Sequence, residues 1–126
     1  MKLVLAIALG GACGAVGRHY VGAAALRFLG SGFPAGTLTV NVVGSIAMGV
    51  LIELMALKIS PSQEMRAFLT VGLLGGFTTF STFSLDTAVL YERGEPLVAF
   101  GYVAVSVICS VGGLFAGMYV MRQVLM

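Results

Sequence analysis

The sequence predicts an all-α membrane protein with four transmembrane helices and a break in the third. Three observations carry that prediction. First, 59% of the 126 residues are hydrophobic and only 10% charged, whereas soluble domains carry about 25% charged residues. So few charges cannot cover a water-facing surface. Second, the apolar residues gather into four runs, each long enough to supply the roughly 20 residues that cross a ~30 Å hydrocarbon core at about 1.5 Å per residue. Third, residues 75–84 read GGFTTFSTFS, a pair of glycines followed by phenylalanines and hydroxyls that suits an uninterrupted apolar helix poorly.

The first span runs from Lys2 to Phe28 and closes at GSGFPAG (30–36). Its start, MKLVLAIALGGAC, has the one Lys, apolar run and small residues of a signal peptide. Gly10 stands where a lipoprotein signal has Leu, three residues before Cys13, and the chain stays apolar beyond it. The segment is therefore the first half of a membrane helix that also serves for insertion. The second span runs from Thr37 to Leu57, ahead of KISPSQE (58–64). The third runs from Met65 to Tyr91, ahead of ERGEP (92–96), and the fourth from Leu97 to Arg122. Pro34, Pro61 and Pro96 all fall in connectors or at helix starts, where a missing N–H breaks no helix bond. With no internal repeat or linker, residues 1–126 form a single four-helix domain.

The charges exclude other classes. Lys2, Arg18, Arg27, Lys58, Arg66, Arg93 and Arg122 are scattered among Glu53, Glu64, Asp86, Glu92 and Glu95, for a net charge of +2. No basic patch invites nucleic acid. Four basic residues lie on the side of the termini and two on the other, a weak bias for the rule that sets topology. It fits termini inside, or a protein that inserts both ways up and pairs with its inverted copy. Cys13 and Cys109 lie in apolar runs without a second metal ligand and read as buried thiols. No nucleophile–base pair or metal cluster is spelled out, so an enzyme is not expected.

The glycine pairs Gly10/Gly14, Gly72/Gly76 and Gly113/Gly117 let helix backbones approach closely. They serve either packing within one subunit or a subunit interface. Four short helices enclose a polar pathway poorly by themselves, so a homo-oligomer is expected.

Polar groups inside a membrane need a partner or a lining role. Arg18 lies near the middle of the first run, beside His19, to which no role is assigned. Arg18 is a snorkelling residue, a vestibule cation or a tertiary anchor. Asn41, in GTLTVN (36–41), shares a helix face with Thr37 and serves a helix–helix hydrogen bond or a pathway. Tyr102, Ser106 and Ser110 form one stripe on the fourth span. Gly75 and Gly76 lower helix propensity by about 1 kcal/mol each, and broken membrane helices expose carbonyls to a cavity or a small cation. Phe80 and Phe83 then share a face, with Ser84 near it. Hydroxyls and amides donate hydrogen bonds and a phenyl ring presents a positive edge. Glu53 and Asp86, the acids within the spans, lie near span ends. That lining suits a small, hard anion.

GACGAVGR (11–18), GTLTVN (36–41) and GGFTTFSTFS (75–84), in this order along the whole chain, resemble the Fluc, or CrcB-like, fluoride channels. The resemblance implies a channel of the inner cell membrane that passively exports fluoride from the cytoplasm and rejects chloride. It implies an antiparallel, dual-topology homodimer in the lipid bilayer with two pores. By the same resemblance Phe80 and Phe83 are the pore phenylalanines, Asn41 the pore asparagine and Arg18 the first-span arginine. Thr79, Ser81, Thr82, Tyr102 and Ser110 match polar pore-lining positions. Gly75 and Thr78 match a break whose backbone carbonyls hold a structural Na+ at the dimer interface. A rival reading is a small four-helix proton-coupled or multidrug transporter, which needs a titratable carboxylate within the bundle, usually in the first span. Here that span has Arg18 and no acid.

Overall fold

The computed structural model describes residues 1–126, and every regular element in it is helical. α1 covers Lys2–Leu29 and α2 Ala35–Leu57. α3, Gln63–Ala67, runs into a π-helical stretch at Phe68–Leu74 and a further turn, α4, at Gly75–Phe77. Thr78 and Thr79 interrupt the helix before α5, Phe80–Glu92, and α6 covers Pro96–Leu125. Four segments are long and apolar enough to cross a membrane: Lys2–Leu29, Ala35–Leu57, Gln63–Glu92 and Pro96–Leu125.

The expected spans are all present, with ends moved by local chemistry. The third span starts inside the expected connector because the Ser62 hydroxyl accepts the Met65 N–H at 3.1 Å, an N-cap. α6 passes Arg122 and ends at Leu125. Gly30 (φ 78°) and Gly94 (φ 80°) are the positions where the chain leaves the right-handed region, just past α1 and α5. Glycine does so without a Cβ penalty.

Glycine is used elsewhere for proximity. A Cβ on Gly72 would lie 2.9 Å from the Cα of Gly10, and one on Gly76 2.8 Å from the Gly11 carbonyl. Gly10 and Gly14 in turn sit against the backbone of Phe68, Leu73 and Phe77. On the other seam, Gly49 packs on the Leu114 carbonyl and Gly117 on the Ile46 carbonyl. All three glycine pairs are thus occupied within one chain, joining α1 to the third span and α2 to α6. As evidence for a subunit interface they drop out. In lipid, where apolar side chains gain little by meeting each other, such backbone approach is what packs helices.

One further expectation is corrected. Cys13 and Cys109 are exposed on the protein's outer faces rather than buried, because lipid accepts a thiol as readily as a protein core does. Glu53 lies four residues from the end of α2, near a span end as expected, and is 5% exposed. Since α6 continues past Arg122, that side chain lies against α2, and its Nε and Nη2 donate to the two Glu53 carboxylate oxygens at 2.8 and 3.1 Å. Only 14 of 126 residues are buried, so most apolar side chains face outward, as a lipid solvent permits. A cluster of buried hydrophobic residues, Phe83, Leu90, Ala99 and Tyr102, forms where α5 meets α6.

Candidate functional site

The interruption of the third span organises the site. Gly75 and Gly76, expected to break the helix, are helical. The extended residues are Thr78 (φ −85°, ψ 160°) and Thr79 (φ −155°, ψ 122°). Gly76 supplies room for α1, and the break comes from tertiary bonding three residues on, at Thr79. The Thr79 N–H donates to Asn41 Oδ1 at 2.7 Å, and Asn41 Nδ2 donates to the Thr79 carbonyl at 3.0 Å. One amide side chain therefore pairs with both backbone groups of a residue that has left the helix. Thr79 also starts α5: its Oγ1 accepts the Thr82 N–H at 3.1 Å and lies 3.2 Å from Thr82 Oγ1 and 3.3 Å from Ser81 Oγ. On the near side of the break, Arg18 Nε donates to the Gly76 carbonyl at 3.1 Å. No backbone N–H closes a turn onto the carbonyls of Gly75 or Thr78.

Beside the break lies a groove of about 300 Å³, lined by Asn41, Ser45, Thr78, Thr79, Phe80, Phe83, Ser106, Val107, Ser110 and Val111. Phe80 and Phe83 lie with ring centroids 5.4 Å apart and planes at 51°. Phe83 continues to Tyr102 (5.3 Å) and Tyr102 to Phe33 (5.5 Å, 86°). Tyr102 is buried, and its hydroxyl donates to Asp86 Oδ2 at 3.1 Å. Ser106, one turn from Tyr102, is 5% exposed, and its hydroxyl has no hydrogen-bond partner in the chain. Buried hydroxyls are ordinarily paired, and this one is left unpaired by the chain's own groups.

The arrangement offers an amide, hydroxyls and aromatic rings, with no free charge on the groove wall. Such a lining attracts an anion through hydrogen-bond donors and ring edges. It lacks a fixed cation that would hold the ion in place.

A family model described as CrcB-like protein, Camphor Resistance (CrcB), matches residues 5–118. The chain belongs to the CrcB family. It is 56% identical over 122 residues, 97% of both chains, to a protein of Rhodospirillum centenum named fluoride-specific ion channel FluC. Proteins of that name from Chelativorans sp. and Rhizobium johnstonii are each 53% identical, over 99% and 97% of this chain and 100% and 98% of their own lengths.

In this CrcB-family chain the groove gathers Asn41, Thr79, Phe80, Phe83 and Ser110 from the residues singled out in the sequence. Tyr102 stands behind Phe83 rather than on the groove wall. Thr82 turns away, to a neighbouring groove of about 380 Å³ shared with Arg18, His19, Thr37 and Thr79. Ser81 is exposed and lines neither groove. Ser84 uses its hydroxyl on its own helix, donating to the Phe80 carbonyl at 3.0 Å. Sequence reasoning missed Ser45, whose signal was its place one turn after Asn41. It also missed Asp86 as the partner of Tyr102, because sixteen positions separate them.

Proposed function

We propose that this protein is a fluoride-selective ion channel that lets fluoride leave the cytoplasm passively and so lowers its toxicity. The observation that carries this reading is the near-full-length likeness, at 56% identity, to a protein named fluoride-specific ion channel. The groove supplies a physical basis. Fluoride is small, strongly hydrated and a strong hydrogen-bond acceptor, so amide, hydroxyl and ring-edge donors can stand in for its water. Conduction needs binding strong enough for entry and weak enough for exit, which a lining without a fixed charge provides. Phe80, Phe83 and Asn41 are assigned to the anion path, with Thr79, Ser110 and the Tyr102 stripe as polar support. Ser81 and Thr82 complete the polar track on the far side of Thr79.

The proposal extends to assembly. Phe80 is 77% exposed, and Ser81 and Ser84 are exposed beside it, in a segment at membrane depth where polar groups need partners. An inverted second copy would cover this open side, and the weak charge bias permits both insertions. We place the homodimer in the inner membrane as a multi-pass protein. The carbonyls of Gly75 and Thr78 are neutral, hard oxygen donors without backbone partners, which suits a sodium ion. Bound there, sodium would supply positive charge to the free carbonyls of the break.

Purified protein in liposomes, with efflux read by fluoride and chloride electrodes, tests the reading. Fluoride should pass quickly and chloride hardly at all. Equal rates would refute it. Exchange of sodium for choline should loosen the dimer on size exclusion, and a dimer indifferent to that exchange would remove the cation from the proposal.

A further inference from the structure

We propose that Arg18 is a positioning residue that clamps the backbone of the third-span break, and that its role depends on guanidinium geometry rather than on positive charge in a vestibule. The inference rests on the channel reading for its consequence in transport, but the clamp itself stands on the chain's own contacts.

Gly10, Gly14 and Arg18 follow one another at four-residue intervals, so they lie on one face of α1. The two glycines press that face onto the third span, Gly14 against the Leu73 carbonyl and the Phe77 N–H nitrogen. The next position on the stripe therefore comes level with the end of the first half-helix. There the helix stops at Phe77, and the Gly76 carbonyl would have taken its helical bond from the N–H of Phe80, beyond the break. Arg18 Nε takes that place at 3.1 Å. A cation at a helix C-terminus also meets the negative end of the helix dipole.

Asn41 holds the opposite side of the same break through Thr79. α1 thus fixes where the first half-helix ends and α2 fixes where the second begins. Between these two clamps remain the carbonyls of Gly75 and Thr78, which no backbone donor occupies. Arg18 is half-buried, and Nε makes its one hydrogen bond to the chain. Arg18 also lines the groove shared with Thr37, Thr79 and Thr82. Lysine keeps the charge but has no N–H at the Nε position and no planar fork, so it separates the clamp from simple attraction of anions.

The test compares Arg18→Lys and Arg18→Gln with the unsubstituted protein by fluoride efflux and by the sodium concentration that gives half-maximal thermal stabilisation. Both variants should lose fluoride efflux by about tenfold or more, the scale of a lost charge-assisted hydrogen bond. Both should also need a similarly higher sodium concentration. An Arg18→Lys protein that matches the unsubstituted one while Arg18→Gln fails would overturn the clamp in favour of charge. Two variants that both behave as unsubstituted protein would overturn it as well. Should neither variant fold, nuclear magnetic resonance of the unsubstituted protein with ¹⁵N-labelled arginine decides the matter. The Arg18 Nε–H should exchange with water far more slowly than those of exposed Arg27 and Arg66, and equally fast exchange would overturn the proposal. The channel reading fails separately, if unsubstituted protein does not prefer fluoride over chloride.

Discussion

Asn41 grips Thr79 by both of its backbone groups, accepting its N–H at 2.7 Å and donating to its carbonyl at 3.0 Å. Helix α2 thereby supplies the hydrogen bonds that the third span gives up at its break. An asparagine expected either to tie helices together or to face a pathway does the first, while one amide N–H is left for the second.

Asn41→Leu should remove both bonds and leave two backbone groups unpaired inside the membrane. A loss of about 1–3 kcal/mol per unpaired group is expected, seen as a lower thermal midpoint in detergent together with lost efflux. Asn41→Asp keeps the acceptor for the Thr79 N–H and should be the more stable of the two. A Leu variant with an unchanged midpoint would contradict the assignment of the break to Asn41.

Phe80 and Phe83 should separate stability from transport. Phe80 is 77% exposed in the chain and Phe83 is 9% exposed, packed on Tyr102. Both Phe80→Ile and Phe83→Ile should cut fluoride efflux sharply, since each removes a ring edge while keeping bulk. Only Phe83→Ile should also destabilise the chain, by about 1–3 kcal/mol. Unchanged efflux in both variants would refute the pore assignment.

The buried, unpartnered Ser106 hydroxyl makes the opposite prediction. Ser106→Ala removes a polar atom that the chain does not satisfy, so stability should hold or rise by about 1 kcal/mol. Fluoride efflux should fall if that hydroxyl serves the ion. Loss of stability with unaltered efflux would return Ser106 to a packing role.

Arg122→Met leaves the buried Glu53 carboxylate without its partner and should lower the thermal midpoint. Adding Glu53→Leu removes the stranded charge and should restore part of the loss. A double variant no better than Arg122→Met would mean that the pair contributes packing rather than charge compensation.

Much was legible in the sequence because it depends on composition and spacing along one helix. The four spans, the proline positions and the facing of Phe80 with Phe83 follow from the cost of polar groups in hydrocarbon and from the 3.6-residue period. Which glycines meet which backbone was not legible, since Gly10 and Gly72 are sixty-two positions apart. The break itself shows the division. GGFTTFSTFS marked its neighbourhood by weak helix propensity, yet propensity pointed to Gly75 and Gly76, which remain helical. Only the tertiary structure brings Asn41 to Thr79, Arg18 to Gly76 and Glu53 to Arg122. An interruption at membrane depth forms where another helix can satisfy the freed backbone groups, and that is decided by what stands opposite.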